Sequence, residues 1–280
     1  MARRSSLGRR LLRQRMAVVG MAVLALMLVG AAFAPLIAPY DPEAMDIIHR
    51  LSPPAAAHWF GTDDFGRDEF SRVLFGARLS MITGTLVVVF ATVAGTVLGL
   101  LSSTLRWLDD LLMRFSDALM AFPDILLAIA LMAALGPSLL DVVLALGTVY
   151  TPRVARLVRG AALVLQRTQF VEAAAALGAG ELRIVCAHLL PNTFAVLIVQ
   201  ATFTFAAAVL TEAALSFLGA GIPPPTPSWG NMIAEGQQYL DRADWLIMAP
   251  GLAILLTVLA LQLVGDGLRD ALDPRLRGLT

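Results

Sequence analysis

The sequence predicts an all-α membrane protein with six transmembrane helices and both termini in the cytoplasm. Three observations carry that prediction: little charge, long uncharged runs, and arginines gathered on one side. Only 15% of the 280 residues are charged and 58% are hydrophobic, with a mean hydropathy of +0.76. A soluble domain carries about 25% charge. The apolar excess lies in runs: Met16–Ala38 is 23 residues without a charge and Leu79–Ser102 is 24. As helices, each outreaches the roughly 30 Å of bilayer hydrocarbon.

Residues 1–15 read as an arginine-rich cytoplasmic tail and 16–38 as the first span. That run exceeds the about 7–15 apolar residues of a signal peptide, so it is expected to stay in the membrane. Residues 39–78 form an outer loop, and 79–266 a core domain with five more spans. These are Leu79–Ser102, Ala118–Leu135 with Asp124, Leu139–Thr151 with Asp141, Thr193–Leu218 with Glu212, and the uncharged Trp245–Gly265. The Leu139 run is short. It crosses only if "TPRVARLVRG" continues the helix, with Arg153, Arg156 and Arg159 snorkelling to one surface. Residues 165–192 make a cytoplasmic loop within the core domain, and 267–280 a second cytoplasmic tail.

Six crossings from a cytoplasmic N-terminus leave 16 arginines inside and only Arg50, Arg67, Arg72, Arg78 and Arg242 outside. That split obeys the positive-inside rule, and deleting the fourth crossing spoils it. The outer loops carry ten acids against those five arginines, which suits either a basic docking partner or plain solubility.

Several chemistries are excluded or unsupported. Cys186 is the only cysteine, and His49, His58 and His188 lack ligand-like spacing, so no metal site is expected. Lysine is absent, and with it any Walker A loop. There is no HExxH, GxSxG or cysteine–histidine pair, so no enzyme is expected, and no nucleic-acid partner.

The stretch "EAAAALGAGELRIVCAHLLPN", Glu172–Asn192, interrupts this apolar chain on the cytoplasmic side. Phe170, Ala173, Ala174 and Leu177 fall at helical spacing, as do Leu182, Val185, Cys186 and Leu189. Gly178 and Gly180 lie between them. The spacing predicts two short helices joined by a glycine turn, with Pro191 halting the second before the fifth span. The apolar stripes either pack on the span ends or await a partner.

This stretch resembles the EAA motif of the membrane subunits of bacterial ABC importers: Glu172, Ala173, Ala174, Gly178, His188, Leu190, Pro191 and Asn192 match, while Leu189 stands for the commoner isoleucine. "LIAPYDP", "HWFGTDDFGRDEFSRVLFGARLS", "TEAALSFLGAGIPPPTPSWGNMIAEG" and "GDGLRDALDPRLR" look like the dipeptide/oligopeptide/nickel branch, specifically its C-type membrane subunit. The resemblance implies a type I ABC importer permease fold. It also implies a second homologous permease subunit, an extracytoplasmic solute-binding protein and one or two ATPase subunits. Those ATPase subunits hold ATP and magnesium, and this chain holds no cofactor. The location implied is the bacterial inner membrane, with lipid around the spans.

In that family the EAA segment is the coupling helix that enters a cleft on the ATPase. Glu172 is then a polar contact or a helix-dipole partner, Gly178 the turn, and Pro191 and Asn192 set the angle to the fifth span. Asp124 and Glu212 are candidates for the translocation path, or for structural bonds. Asp63, Asp64, Arg67, Asp68 and Trp229 are candidates for binding-protein docking, although the charges in "GTDDFGRDEFSR" can equally pair with one another. Trp229, Tyr239 and Trp245 suit the headgroup level. A secondary transporter using Asp124 and Glu212 is the alternative reading. The cargo is expected to be dipeptides or oligopeptides, with nickel chelates or sugars as alternatives.

Overall fold

The computed structural model describes Gly8 and residues 11–272, so most of the N-terminal tail and the end of "GDGLRDALDPRLR" lie outside the described residues. Apart from one isolated antiparallel bridge, Thr62 to Asp68, the regular structure described is helical. The order is α1 (Arg15–Ala32), α2 (Glu69–Thr104), α3 (Arg106–Met120), α4 (Asp124–Leu135), α5 (Leu139–Gln166), α6 (Gln169–Ala176), α7 (Glu181–Phe217), α8 (Trp229–Gly236) and α9 (Trp245–Leu272).

α2 and α5 form the centre, and glycine lets them touch. Gly95 and Gly99 sit four apart, the small-xxx-small spacing that lets helix backbones approach without a driving force from water. A Cβ on Gly95 would stand 2.5 Å from the Cβ of Val154, and one on Gly99 would stand 2.5 Å from the Ala155 carbonyl oxygen. Around this contact lie Val87, Ala91, Val142, Leu146, Val154 and Val158, all buried. α7 packs on both central helices, and α9 joins α7 to α1.

Three elements depart from the sequence reading. The expected third span, Ala118–Leu135, is broken: α3 and α4 meet at a 98° bend. Pro123 supplies the break, because it has no N–H to give and pushes the preceding residue off helical geometry. α4 alone is 12 residues, about 18 Å and short of a crossing. The fourth run does continue as helix, 28 residues through Pro152, and its three arginines each meet an aspartate of α3 or α4, partners the sequence reading did not foresee. At the C-terminal side, residues 267–272 extend α9 rather than start a tail. Among the described residues, four helices are long and apolar enough to cross a membrane, or five with the bent pair counted as one span.

Candidate functional site

The Glu172–Asn192 stretch stands at the end of the bundle opposite the two loops, residues 39–78 and 219–244, that the sequence reading places outside; that end is called outer and this one inner below. α6 stops in a Schellman motif: Gly178 N–H donates to Ala175 O at 2.9 Å and Ala179 N–H to Ala174 O at 3.0 Å. Such a motif needs a left-handed residue just after the helix, and Gly178 supplies it with φ +83°. No atom lies within 4 Å of where its Cβ would be, and Gly180 is equally open.

The face that α6 buries is not the expected stripe. Val171 and Leu189 are enclosed, whereas Phe170 and Cys186 are exposed, Leu177 is 90% exposed and Leu182 77%. Ala173 is exposed and Ala174 half-buried. The expected stripes are therefore split: Leu189 and Val185 pack into the core, while Phe170, Leu177, Leu182 and Cys186 are left free on this chain. Glu172 lines a recess of about 300 Å³ with Arg106, Gln166 and Glu181.

Pro191 does not halt a helix. The chain runs from Glu181 through a π turn, Val185–Leu189, straight into the rest of α7. In the π turn, Leu190 N–H reaches back to Val185 O. Pro191 then sits where its missing N–H costs little, in the first turn of the α-helical stretch. The exposed Asn192 side chain donates to His188 O at 2.7 Å, helping to satisfy the carbonyls left short around the proline.

Mid-bundle, Asp124 opens α4 and accepts from Arg153 Nη2 of α5 at 2.9–3.0 Å, beside an open cleft of about 510 Å³. Asp117 pairs with Arg156, and Asp109 takes both Nε and Nη2 of Arg159 at 2.6 Å. Three arginines at i, i+3 and i+6 thus tie α5 to the bent α3–α4 pair. Glu212 is different: it is fully enclosed, accepting from Ser216 Oγ at 2.8 Å and Ser80 Oγ at 3.3 Å. It faces no opening and joins α7 to α2.

At the outer end, the residues expected to dock a partner are mostly inside. Asp63, Arg67, Asp68 and Trp229 are buried; only Asp64 is partly accessible. Arg67 donates to Asp63 at 2.5 Å and to Glu235 at 2.8 Å, and Arg72 reaches the same Glu235 oxygen at 2.9 Å. This cluster ties the N-terminal side of α2 to α8. Asp68 caps α2 through Ser71 N–H and meets His58 Nδ1 at 2.8 Å. Trp229 is no headgroup anchor: its ring fills the space left by Gly76, and its Nε1–H donates to Val73 O at 3.1 Å. Trp245 and Tyr239 are half-buried, bonded to Thr62 O and Asp64.

Two family models match this chain. Residues 69–278 match the binding-protein-dependent transport system inner membrane component, and residues 6–54 match the N-terminal transmembrane domain of oligopeptide transport permease C. The chain belongs to this family of inner-membrane components. Among curated relatives, the dipeptide transport system permease protein DppC of Alkalihalophilus pseudofirmus is 44% identical over 96% of the chain and 89% of its own length. The di/tripeptide transport system permease protein DppC of Pseudomonas aeruginosa is 45% identical over 93% and 88%. The glutathione transport system permease protein GsiD of Escherichia coli is 45% identical over 96% and 90%. A solved chain from the inward-facing MetNI methionine ABC transporter superposes with a TM-score of 0.61 at 20% identity, covering 71% of this chain and 96% of that one. That likeness shows the fold.

In this inner-membrane component the sequence reading missed the partners more than the players. Arg153, Arg156 and Arg159 were visible, and so were acids at 109, 117 and 124. Asp109 and Asp117, eight residues apart, lie toward one side of α3, a signal that could have paired them, whereas Asp124 lies beyond the bend and shares no face with them. Glu235 and Arg72 are 163 residues apart, and no local pattern joins them.

Proposed function

We propose that this chain is a permease subunit of an ATP-driven importer of dipeptides or oligopeptides, driven by separate ATPase subunits. The observation that carries the reading is the free apolar turn at the inner end: Leu177 and Leu182 exposed on either side of an unobstructed Gly178. Exposed apolar side chains on a compact, well-capped turn are unstable company for water and are matched by a partner groove. Glu172, Ala173, Ala174, Gly178, Leu190, Pro191 and Asn192 are assigned to this coupling segment. Glu172 and Ala173 meet the ATPase, Gly178 makes the turn, and Leu190 to Asn192 carry motion into α7. ATP and magnesium belong to the ATPase subunits.

Support for peptide cargo comes from the relatives, each named for a peptide or glutathione transport system. Six crossings are counted with the α3–α4 pair as one and α5 as another, its charges turned away from lipid. Both termini are then cytoplasmic, in keeping with the arginine split. A second, homologous permease subunit completes the path, and an extracytoplasmic binding protein delivers cargo to the outer loops. Since Asp63, Arg67, Asp68 and Trp229 are enclosed, docking falls to exposed neighbours such as Phe65 and to Asp64.

The test is to express the tagged chain with its genomic neighbours, purify it in mild detergent and assay ATP hydrolysis beside Gly178→Arg. Hydrolysis that copurifies with the native chain and is lost with the folded variant supports the coupling role. A folded, ATPase-free protein from both would instead favour a secondary transporter.

A further inference from the structure

The break between α3 and α4 puts two opposite charges where lipid will not have them. Asp124 lies about 18 Å along α4 from the turn at Gly136, and Arg153 about 21 Å along α5 from Leu139. With the turn between α4 and α5 taken at the membrane surface, both positions fall within the roughly 30 Å hydrocarbon layer. Their side chains are nevertheless 31% and 45% exposed on this chain. Ions at such depth face a water-filled cavity or a partner, not acyl chains.

The cleft they border is lined by Met120, Phe122, Ile125 and Thr211 as well. Its volume, about 510 Å³, is within the roughly 300–1,000 Å³ of small-molecule sites. One wall is fixed: Tyr150 and Thr211 hydroxyls bond at 2.8 Å, and the Arg153 guanidinium lies 5.8 Å over the Tyr150 ring.

The three aspartates of the ladder are not held alike. Asp109 is fastened by both Arg159 nitrogens and by Ser102 Oγ at 2.5 Å, and is the least exposed. That pair is a fastening. Asp124 has only the Arg153 Nη2 contact, so it can exchange partners. A zwitterion entering between the two charges replaces one ion pair with two and leaves no charge unpaired, the condition for charge burial at tolerable cost.

Building on the peptide-import reading, we propose that Asp124 and Arg153 form a transit site for the two charged ends of a peptide. Asp124 takes the cargo's ammonium group, and Arg153 its carboxylate, in the forked geometry guanidinium favours. Glu212, enclosed by serines, takes no part.

The experiment uses the complete importer in proteoliposomes with its binding protein, ATPases and second permease. Uptake of radiolabelled alanyl-alanine is compared with that of its N-acetyl and C-amide forms, for native, Asp124→Asn and Arg153→Gln importers. Each variant is scaled to native for the same cargo, so the binding protein's own preference cancels. Asp124→Asn should cut uptake of the free dipeptide about tenfold and spare the N-acetyl form to within about twofold. Arg153→Gln should show the mirror image, sparing the amide.

Equal losses on all three cargos would make the pair a fastening like Asp109–Arg159 and overturn the proposal. So would unchanged uptake. A second measurement needs no variant: on the native importer, a dipeptide with a diazirine side chain should cross-link within Phe122–Ile125. Excess alanyl-alanine should displace it, and its doubly capped form should not. Labelling elsewhere, or displacement by both, also overturns the proposal. The two readings fail separately. A native importer that moves no peptide sinks the peptide reading, and one that moves peptide without regard to these termini sinks only the transit site.

Discussion

At the outer end of the bundle, Asp63, Arg67 and Arg72 are shut away from solvent; at the inner end, Leu177 and Leu182 stand out in it. The glycines repeat the contrast. Gly76 is filled by Trp229, whereas Gly178 has nothing near it. Glu69 Oε1 and two Arg72 nitrogens at the outer end have no hydrogen bond. Even so, a region whose enclosed charges pair, as Arg67 does with Asp63 and Glu235, has found partners within the chain. A region that leaves leucines exposed on a capped turn has not. The difference teaches which surface is finished: the outer cap is a built part of this subunit, and the inner turn, on the function proposed above, is half of an interface.

The contrast can be broken most forcefully at the outer cap. Arg72→Ala leaves Glu235 and Asp63 with one cation fewer in a buried cluster, and breaking such a pair costs about 3–5 kcal/mol. The variant should lose its monodisperse peak on size exclusion in detergent and melt well below the native protein. A melt within a degree of native would mean that the cap is wetter than its geometry shows.

A smaller loss is expected from Gly95→Leu at the α2–α5 contact, about 1–3 kcal/mol for overpacking, read by the same melt. Gly178→Ala should cost about 1 kcal/mol, because alanine dislikes the left-handed region, with no clash to add. Its ATPase copurification should fall more than its stability does. Gly180→Ala should be nearly silent in stability, since Gly180 has φ −67° and open space.

Leu177→Ser sharpens the comparison furthest while disturbing the subunit least. Surface changes away from packing usually stay within about 0.5 kcal/mol, so the melt should not move while copurified hydrolysis drops several-fold. Retained hydrolysis would show that the exposed leucine is not at the interface. Last, a membrane-impermeant maleimide should label exposed Cys186 in inside-out vesicles and spare it in right-side-out ones, with no effect on stability. Labelling from the outside would invert the topology and exchange the meanings of the two ends.

The inner turn was legible because its determinants are local. Gly178 ends α6 through atoms within five residues, and the matching residues from Glu172 to Asn192 lie in one stretch. The helical continuation through "TPRVARLVRG" was legible too, since the arginine split demanded a fourth crossing that the short Leu139 run cannot make alone. What escaped depends on contacts far apart in the chain, or on a break hidden by composition. Trp229 reads as an interfacial aromatic until Gly76, more than 150 residues earlier, opens a slot for it. Ala118–Leu135 is so uniformly apolar that the bend at Pro123 leaves no trace in hydropathy. Pro191 reads as a stop because a proline usually is one, and the π turn that carries the helix past it has no sequence period of its own.

That passage past Pro191 fixes the mechanics of α7. At 37 residues, its π turn included, the helix is about 56 Å long, nearly twice the hydrocarbon thickness. Its inner end borders the free turn, and its outer end reaches the cap through Glu212 and α8. Such a helix acts as a connecting rod. Swinging it by about 10° at one end sweeps the other through about 10 Å for a rod of this length. On the coupling reading proposed above, a displacement at the inner turn is carried along this helix toward the outer cap.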